Sequence, residues 1–142
     1  MDITVRKARV GDIPGIIEMN DIFNGPGCTA ESVRGSLENP QTETVFVAVC
    51  GGRAIGMICG QLNPSVCYAG GLQCEVTELF VCEGYRRTGV AANLMERLEE
   101  EFIKNGGKEI IVKTGVRNVA ARRFYEKNGY EDMKEIVYLK QV

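Results

Sequence analysis

Two apolar runs, Thr44–Cys50 (TVFVAVC) and Arg53–Leu62 (RAIGMICGQL), are separated by nothing but Gly51-Gly52. Paired glycines between strand-like runs signal a tight antiparallel hairpin, because the favoured two-residue turns need φ angles that glycine adopts at little steric cost. Later in the chain the period changes. Val90, Leu94, Leu98 and Phe102, flanked by Ala91, Met95 and Ile103, mark one face of a helix from about Gly89 to Asn105. A hairpin and a long one-faced helix in one short chain call for a sheet with helices laid on it.

The remaining segments fit around that centre. Ile3–Ala8 alternates and reads as a first strand. Asp12 reads as the N-cap of a helix with Pro14 in its first turn, running to about Phe23, where Asn24-Gly-Pro-Gly27 breaks it. Thr29 caps a second helix, Ala30–Leu37, which Asn39-Pro40 stops. Asn63–Leu72, with Pro64 and Gly70-Gly71, reads as a loop, and Cys74–Cys82 as a further strand. Gly106-Gly107 ends the long helix. Glu109–Thr114 is short and mostly apolar, as suits the middle of a sheet. Asn118 caps a helix through Lys127, closed by Asn128-Gly129, and residues 131–140 give a last strand around Val137, Tyr138 and Leu139. The predicted order is β-α-α-β-β-β-α-β-α-β: an α/β fold with a mixed central sheet flanked by helices. No repeat, low-complexity tract or linker divides the 142 residues, so the expectation is a single domain, 1–142.

Composition removes whole classes of chemistry. The chain has no histidine, which excludes a Ser-His-Asp triad, a Cys-His pair and any His-based metal site. The six cysteines stand at 28, 50, 59, 67, 74 and 82 with no C-x-x-C spacing, so they read as reduced residues used mainly as small core side chains, and no metal is expected. No apolar run approaches the roughly 18 residues of a membrane span, and MDITVRKARV lacks a signal-peptide core, so the expected location is cytoplasmic. Charge is uneven. Residues 1–84 carry 5 Lys/Arg against 10 Asp/Glu, and residues 85–142 carry 12 against 9. An acidic first part and a basic last part suit two ligands of opposite charge.

Chemistry concentrates in two segments. Glu78-Leu-Phe-Val-Cys-Glu-Gly-Tyr-Arg-Arg-Thr-Gly-Val-Ala91 runs strand, tight turn, helix start. A helix N-terminus presents unbonded N–H groups and the positive end of the helix dipole, a natural anion site. Gly89 lets a ligand approach the backbone, Arg86 and Arg87 add charge, and phosphate is the natural guest. The turn matches neither the dinucleotide G-x-G-x-x-G nor the Walker G-x-x-x-x-G-K-[ST]. The second segment is Asn118-Val-Ala-Ala-Arg-Arg-Phe-Tyr-Glu-Lys-Asn-Gly-Tyr130, in which Ala121 and Tyr125 share a helix face with Phe124 beside them.

Together these segments resemble the GNAT acetyltransferase superfamily. Arg86-x-x-Gly89-x-Ala91 is similar to its [RQ]-x-x-G-x-[GA] pyrophosphate signature. Asn118-x-x-Ala121-x-x-Phe124-Tyr125-x-Lys127-x-Gly129-Tyr130 is similar to its N-x-x-A-x-x-[LF]-Y-x-K-x-G-[FY] segment. Two departures stand out. Glu83-Gly84 replaces the proline that often precedes the arginines, and Gly115 lies in the stretch Thr114-Gly-Val-Arg117 before Asn118.

The resemblance implies an N-acetyltransferase that moves an acetyl group from acetyl-CoA directly to a primary amine, with no metal. The pantetheine arm would lie along Leu79-Phe80-Val81 as an added strand. Backbone N–H groups of Arg86, Arg87, Thr88, Gly89, Val90 and Ala91 would hold the pyrophosphate, and Asn118 would contact the cofactor arm. An N–H near Val81 would stabilise the oxyanion. Tyr125, near the sulfur, would protonate the departing thiolate. With no histidine to deprotonate the amine, a carboxylate acting through water takes its place: Glu78 first, since it resembles the acidic residue of the family's E-L-x-V strand, and Glu75 second. Period-2 alternation sets residues three apart on opposite faces unless a bulge intervenes. The acidic N-terminal part suits a cationic acceptor, whether a small molecule or a protein amine. Neither nucleic acid nor membrane is an expected partner, and a homodimer is common in the family. The alternative is a CoA-binding sensor that has lost transfer.

Overall fold

The apolar alternation of the first half becomes one sheet. The structure, a computed structural model, describes residues 1–39, 43–64, 66–67 and 72–142. Its elements are β1 (Ile3–Lys7), α1 (Ile13–Asn24), α2 (Ala30–Glu38), β2 (Thr44–Cys50), β3 (Arg53–Asn63), β4 (Leu72–Val81), α3 (Val90–Lys104), β5 (Gly107–Val112) and α4 (Val119–Lys127). Short 3-10 turns cover Val10–Asp12 and Glu83–Tyr85. The chain divides into two compact units, Met1–Val112 and Lys113–Val142.

In the first unit the five strands lie in the order β1-β2-β3-β4-β5. The first three pairings are antiparallel and β4–β5 is parallel, a connection that needs a crossover, which α3 supplies. The β2–β3 hairpin turns where expected: Cys50 opposes Arg53, and Gly51 and Gly52 both take positive φ, 56° and 77°. Helices cover both faces. Val90, Leu94, Leu98 and Phe102 of α3 are buried on one face, so close to β3 that a Cβ at Gly60 would stand 2.4 Å from the Phe102 ring. On the other face Ile13, Ile16 and Met19 of α1 and Val33 of α2 pack with Val47, Met57 and Phe80.

Several expectations hold in detail. Thr29 accepts the Ser32 N–H at 3.1 Å, capping α2, and Gly106 closes α3 with φ 91°. Asp12 stands at the N-cap of α1 with Pro14 in the first turn, as expected, but not by a side-chain cap. Its side chain makes no cap bond to α1; it takes the Arg6 guanidinium at 2.7 and 2.9 Å and the Arg9 N–H at 2.7 Å instead. A bidentate charged partner on β1 outcompetes a helix N–H for the carboxylate. Cys59 and Cys74 are buried and the other cysteines are not. Pro40 and Gly70-Gly71, expected to stop α2 and to shape the loop before β4, lie outside the described residues.

The second unit holds α4 and the segment beyond it. Asn118 accepts the Ala121 N–H at 3.1 Å, the cap its position predicts. The expected last strand at 131–140 is absent: residues 130–142 form neither strand nor helix, and Tyr138 and Leu139 are 91% and 83% exposed. A strand exists only through its ladder, and this unit supplies no second strand to pair with it. Among the described residues no helix is long and apolar enough to cross a membrane.

Candidate active site

β4 carries the site because its two edges are treated differently. On the β3 side it is paired from Gln73 to Val81. On the β5 side pairing runs only from Leu72 to Val76, opposite Val112. Thr77–Val81 therefore presents a strand edge with no β5 partner. Cys82 N–H donates to Ile55 O at 2.8 Å, toward β3. Successive residues of a strand direct their backbone groups to alternate edges, so Val81, and Leu79 before it, turn N–H and C=O toward the open side. Of the stretch Leu79-Phe80-Val81, the side chains of Phe80 and Val81 are buried. An open edge of this kind is what an added strand requires.

A bulge decides which carboxylates meet. The register places Cys59 opposite Glu78 but Gly60 opposite Val76, so Thr77 is the extra residue on β4. Gln61 faces Glu75, and Gln61 and Cys59 are two apart on β3. Glu75 and Glu78, three apart, are thus brought to the same face. It is the face of Met57 and Phe80, under α1, and both carboxylates are half-buried there. The row continues across the sheet. Val45 opposes Cys59, and Glu43 lies two residues before Val45. Burial pushes the Cys59 thiol well above its ordinary range; the Glu43 carboxylate, which it hydrogen-bonds, and nearby Glu78 push it further. Glu43 is the residue that the sequence reading missed. Its only local signal is its period-2 spacing from Val45, and nothing local says that β2, β3 and β4 lie side by side.

The turn after β4 has the features of an anion cradle. Arg87 and Gly89 take positive φ, 61° and 86°. Such left-handed residues turn neighbouring N–H groups to one side. A β-carbon at Gly89 would meet nothing within 4 Å, so the glycine is required by its backbone conformation and leaves the approach open. Gly89 is the N-cap of α3 and provides no side-chain cap, and Asn93 N–H is the one that reaches Gly89 O. The N–H groups of Arg87, Thr88, Gly89, Val90 and Ala91 have no acceptor among the described residues. The Arg86 N–H differs, since it donates to Glu83 O at 3.3 Å. Ala92, the next residue of the uncapped first turn, extends the set by one. The Thr88 hydroxyl donates to Tyr85 O and braces the turn.

In the second unit, the Tyr125 ring packs at 5.3 Å from Phe124 and 5.8 Å from Tyr130, both edge-on. Burial raises the Tyr125 phenol above its usual value, so it keeps its proton through the neutral range. Among the described residues no group of three or more Cys, Asp or Glu is placed to hold a metal ion.

The chain is similar to known proteins in sequence and in fold. A curated relative, an uncharacterized N-acetyltransferase of Archaeoglobus fulgidus, is 33% identical over 81 residues, 57% of this chain and 55% of that protein. The chain thus aligns with only about half the length of that relative. A solved putative acetyltransferase from Agrobacterium tumefaciens superposes with a TM-score of 0.87 at 22% identity, covering 97% of this chain and 99% of the other. AAC(6')-Iy, solved in complex with the bisubstrate analogue CoA-S-monomethyl-acetylneamine, superposes with a TM-score of 0.83 at 16% identity, covering 100% of this chain and 99% of the other. At these identities the two structures speak for the fold. The family model for the Acetyltransferase (GNAT) family matches residues 17–130, and by that match the chain belongs to the GNAT acetyltransferase family.

Proposed function

We propose that this chain is an acyl-CoA-dependent N-acetyltransferase that moves an acetyl group directly to a primary, cationic amine. In this reading residues 1–142 serve as one functional domain in the cytoplasm, with or without a second copy. The observation that carries the reading is the open β4 edge at Thr77–Val81 leading into the uncapped turn Arg87–Ala91. A linear ligand with an amide-bearing arm and a pyrophosphate fits that sequence of features, and CoA has both. Leu79, Phe80 and Val81 would border the arm, the backbone N–H groups of residues 87–91 would hold the pyrophosphate in the turn that Arg86 opens, and Asn118 would contact the arm.

Acetyl-CoA supplies the acetyl group as an activated thioester. The chain's own groups do the rest. Glu78, or Glu75 beside it on the same face, takes a proton from the ammonium of the acceptor through water. The free amine then attacks the thioester carbonyl. The Val81 N–H, turned to the open edge, donates to the thioester oxygen as negative charge builds on it. Tyr125, whose phenol burial holds protonated, gives its proton to the departing sulfur, and the second proton of the attacking nitrogen passes through water to the phenolate left behind. Half-buried Glu75 and Glu78, with Glu43 in line, favour an acceptor that arrives positively charged.

The test is ligand-dependent stability followed by transfer. Acetyl-CoA at about 100 times its Kd should stabilise the fold by roughly 2.7 kcal/mol and raise Tm, while NAD or ATP at the same concentration should do much less. A panel of amines, including aminoglycosides, polyamines, amino acids and lysine peptides, should then release free CoA thiol. No shift and no calorimetric binding would sink the proposal. Binding without transfer to any amine would make the chain a CoA sensor.

A further inference from the structure

The turn between β4 and α3 holds two arginines in sequence, and their side chains are in different situations. We propose that Arg86 is a positioning residue, which fixes the end of β4 where the thioester is held, and that cationic contact with the cofactor's phosphates belongs to Arg87. The proposal rests on the acetyl-CoA reading above.

The Arg86 side chain, though exposed, is already tied to the end of β4. Its Nε donates to the Val81 carbonyl at 2.9 Å, and its guanidinium carbon lies 5.8 Å from the centre of the Phe80 ring. Phe80 is buried, and its ring meets that of Phe23, near the end of α1, at 5.6 Å. One side chain therefore bonds the last residue of β4 and lies over the residue before it. The peptide joining Val81 to Cys82 is held from both edges, its C=O by Arg86 and its N–H by the Ile55 carbonyl. A planar peptide gripped at both polar ends cannot swing. The Val81 N–H points to the same edge as the Val81 C=O, so fixing one fixes the direction of the other. That edge has no strand to steady it, because β5 pairs no further than Val76. Arg86 does what a missing ladder bond would do.

Arg87 is the opposite case. Both arginines are exposed, but the Arg87 backbone is left-handed with φ 61°, and among the described residues its side chain has no hydrogen bond or ion pair. Its charge is available to an anion; that of Arg86 is already placed. The guanidinium suits the Arg86 task in a way an ammonium does not, since it can present a directed N–H to a carbonyl and lay a planar face on a ring together.

The experiment compares Arg86→Lys, Arg86→Met and Arg87→Met for acetyl-CoA Kd by calorimetry and for kcat and KM with an amine that the panel shows to be acetylated. Arg86→Lys and Arg86→Met should each lower kcat about 10- to 100-fold with Kd within about threefold of wild type, as expected when reacting groups are misplaced while binding survives. Arg87→Met should raise Kd about tenfold and flatten its salt dependence, as expected on losing one exposed phosphate contact. Full kcat in Arg86→Lys would overturn the proposal. So would a Kd rise in Arg86→Met equal to that of Arg87→Met. A second reading needs no variant: the Arg86 Nε–H resonance of the wild-type protein, labelled with nitrogen-15, should be protected from solvent exchange and stay in place when acetyl-CoA saturates the site. Its displacement on binding would mean that Arg86 leaves Val81 for the phosphates, which overturns the assignment. Wild-type protein that binds no acetyl-CoA defeats the functional reading and this one together, whereas normal binding with any of the contrary results defeats this one alone.

Discussion

Glu78, Glu75 and Tyr125 are the residues on which the proposed chemistry turns, and each has its own pH signature. If Glu78 takes the amine's proton, Glu78→Gln should lower kcat/KM near pH 7 by about 100-fold, the lower end of what a positioned base contributes. Raising the pH should partly restore it, because more of the acceptor is then already unprotonated. Tyr125→Phe should lower kcat without that rescue, since its defect lies in the leaving group. Burial raises the Tyr125 phenol, so the loss of wild-type activity from its ionisation should come only above the ordinary tyrosine value of about 10. A Glu78→Gln enzyme with the wild-type pH profile would transfer the role to Glu75 or water. An undiminished Tyr125→Phe would leave that ring a packing role only.

At the scale of elements, the site depends on how closely α3 lies on the sheet. Gly60 makes the approach possible: a Cβ there would stand 2.4 Å from Phe102 Cζ, 2.9 Å from Leu98 Cδ2 and 3.2 Å from Glu75 O. Phe102 and Leu98 are each 1% exposed and have nowhere to retreat. Gly60→Ala should therefore cost about 1–3 kcal/mol through overpacking. At about 2–4 °C per kcal/mol for a chain near this size, Tm should fall by several degrees. Thermal unfolding would show it, and an unchanged Tm would mean that α3 is not seated as described. The same glycine adjoins the β4 bulge, because the register slips between Cys59 and Gly60. The contact that seats α3 and the irregularity that aligns Glu75 with Glu78 thus share one place in β3.

Across the whole molecule burial is uneven. Every buried apolar residue among those described falls between Val5 and Phe102, inside the first unit, and α4 has none. Backbone amides open in cooperative units whose protection follows buried contact. Hydrogen exchange on the full chain should therefore find its slowest amides at Val47, Ala48 and Ile58 and along Leu94–Leu98, with residues 113–142 exchanging faster. Amides of Val119–Lys127 as slow as those of β2 and β3 would contradict this distribution.

What the sequence determined by itself is what is written in neighbouring residues. The Gly51-Gly52 turn, the Thr29 and Asn118 caps, the α3 stripe and the Arg86-x-x-Gly89-x-Ala91 signature all act within a few positions, and each stands where the sequence placed it. Tertiary structure decided the rest, through partners distant along the chain. Asp12 keeps the N-cap position of α1, but its carboxylate bonds Arg6 on β1 in place of a helix N–H. Residues 131–140 carry strand-like residues but form no strand, because β propensity needs a ladder. Glu75 and Glu78 share a face through a bulge that no local residue announces, and Glu43 joins their row through the pairing of β2 with β3. A helix cap or a tight turn closes its own hydrogen bonds. A carboxylate row across three strands exists only once register is set, and register is a property of the assembled sheet.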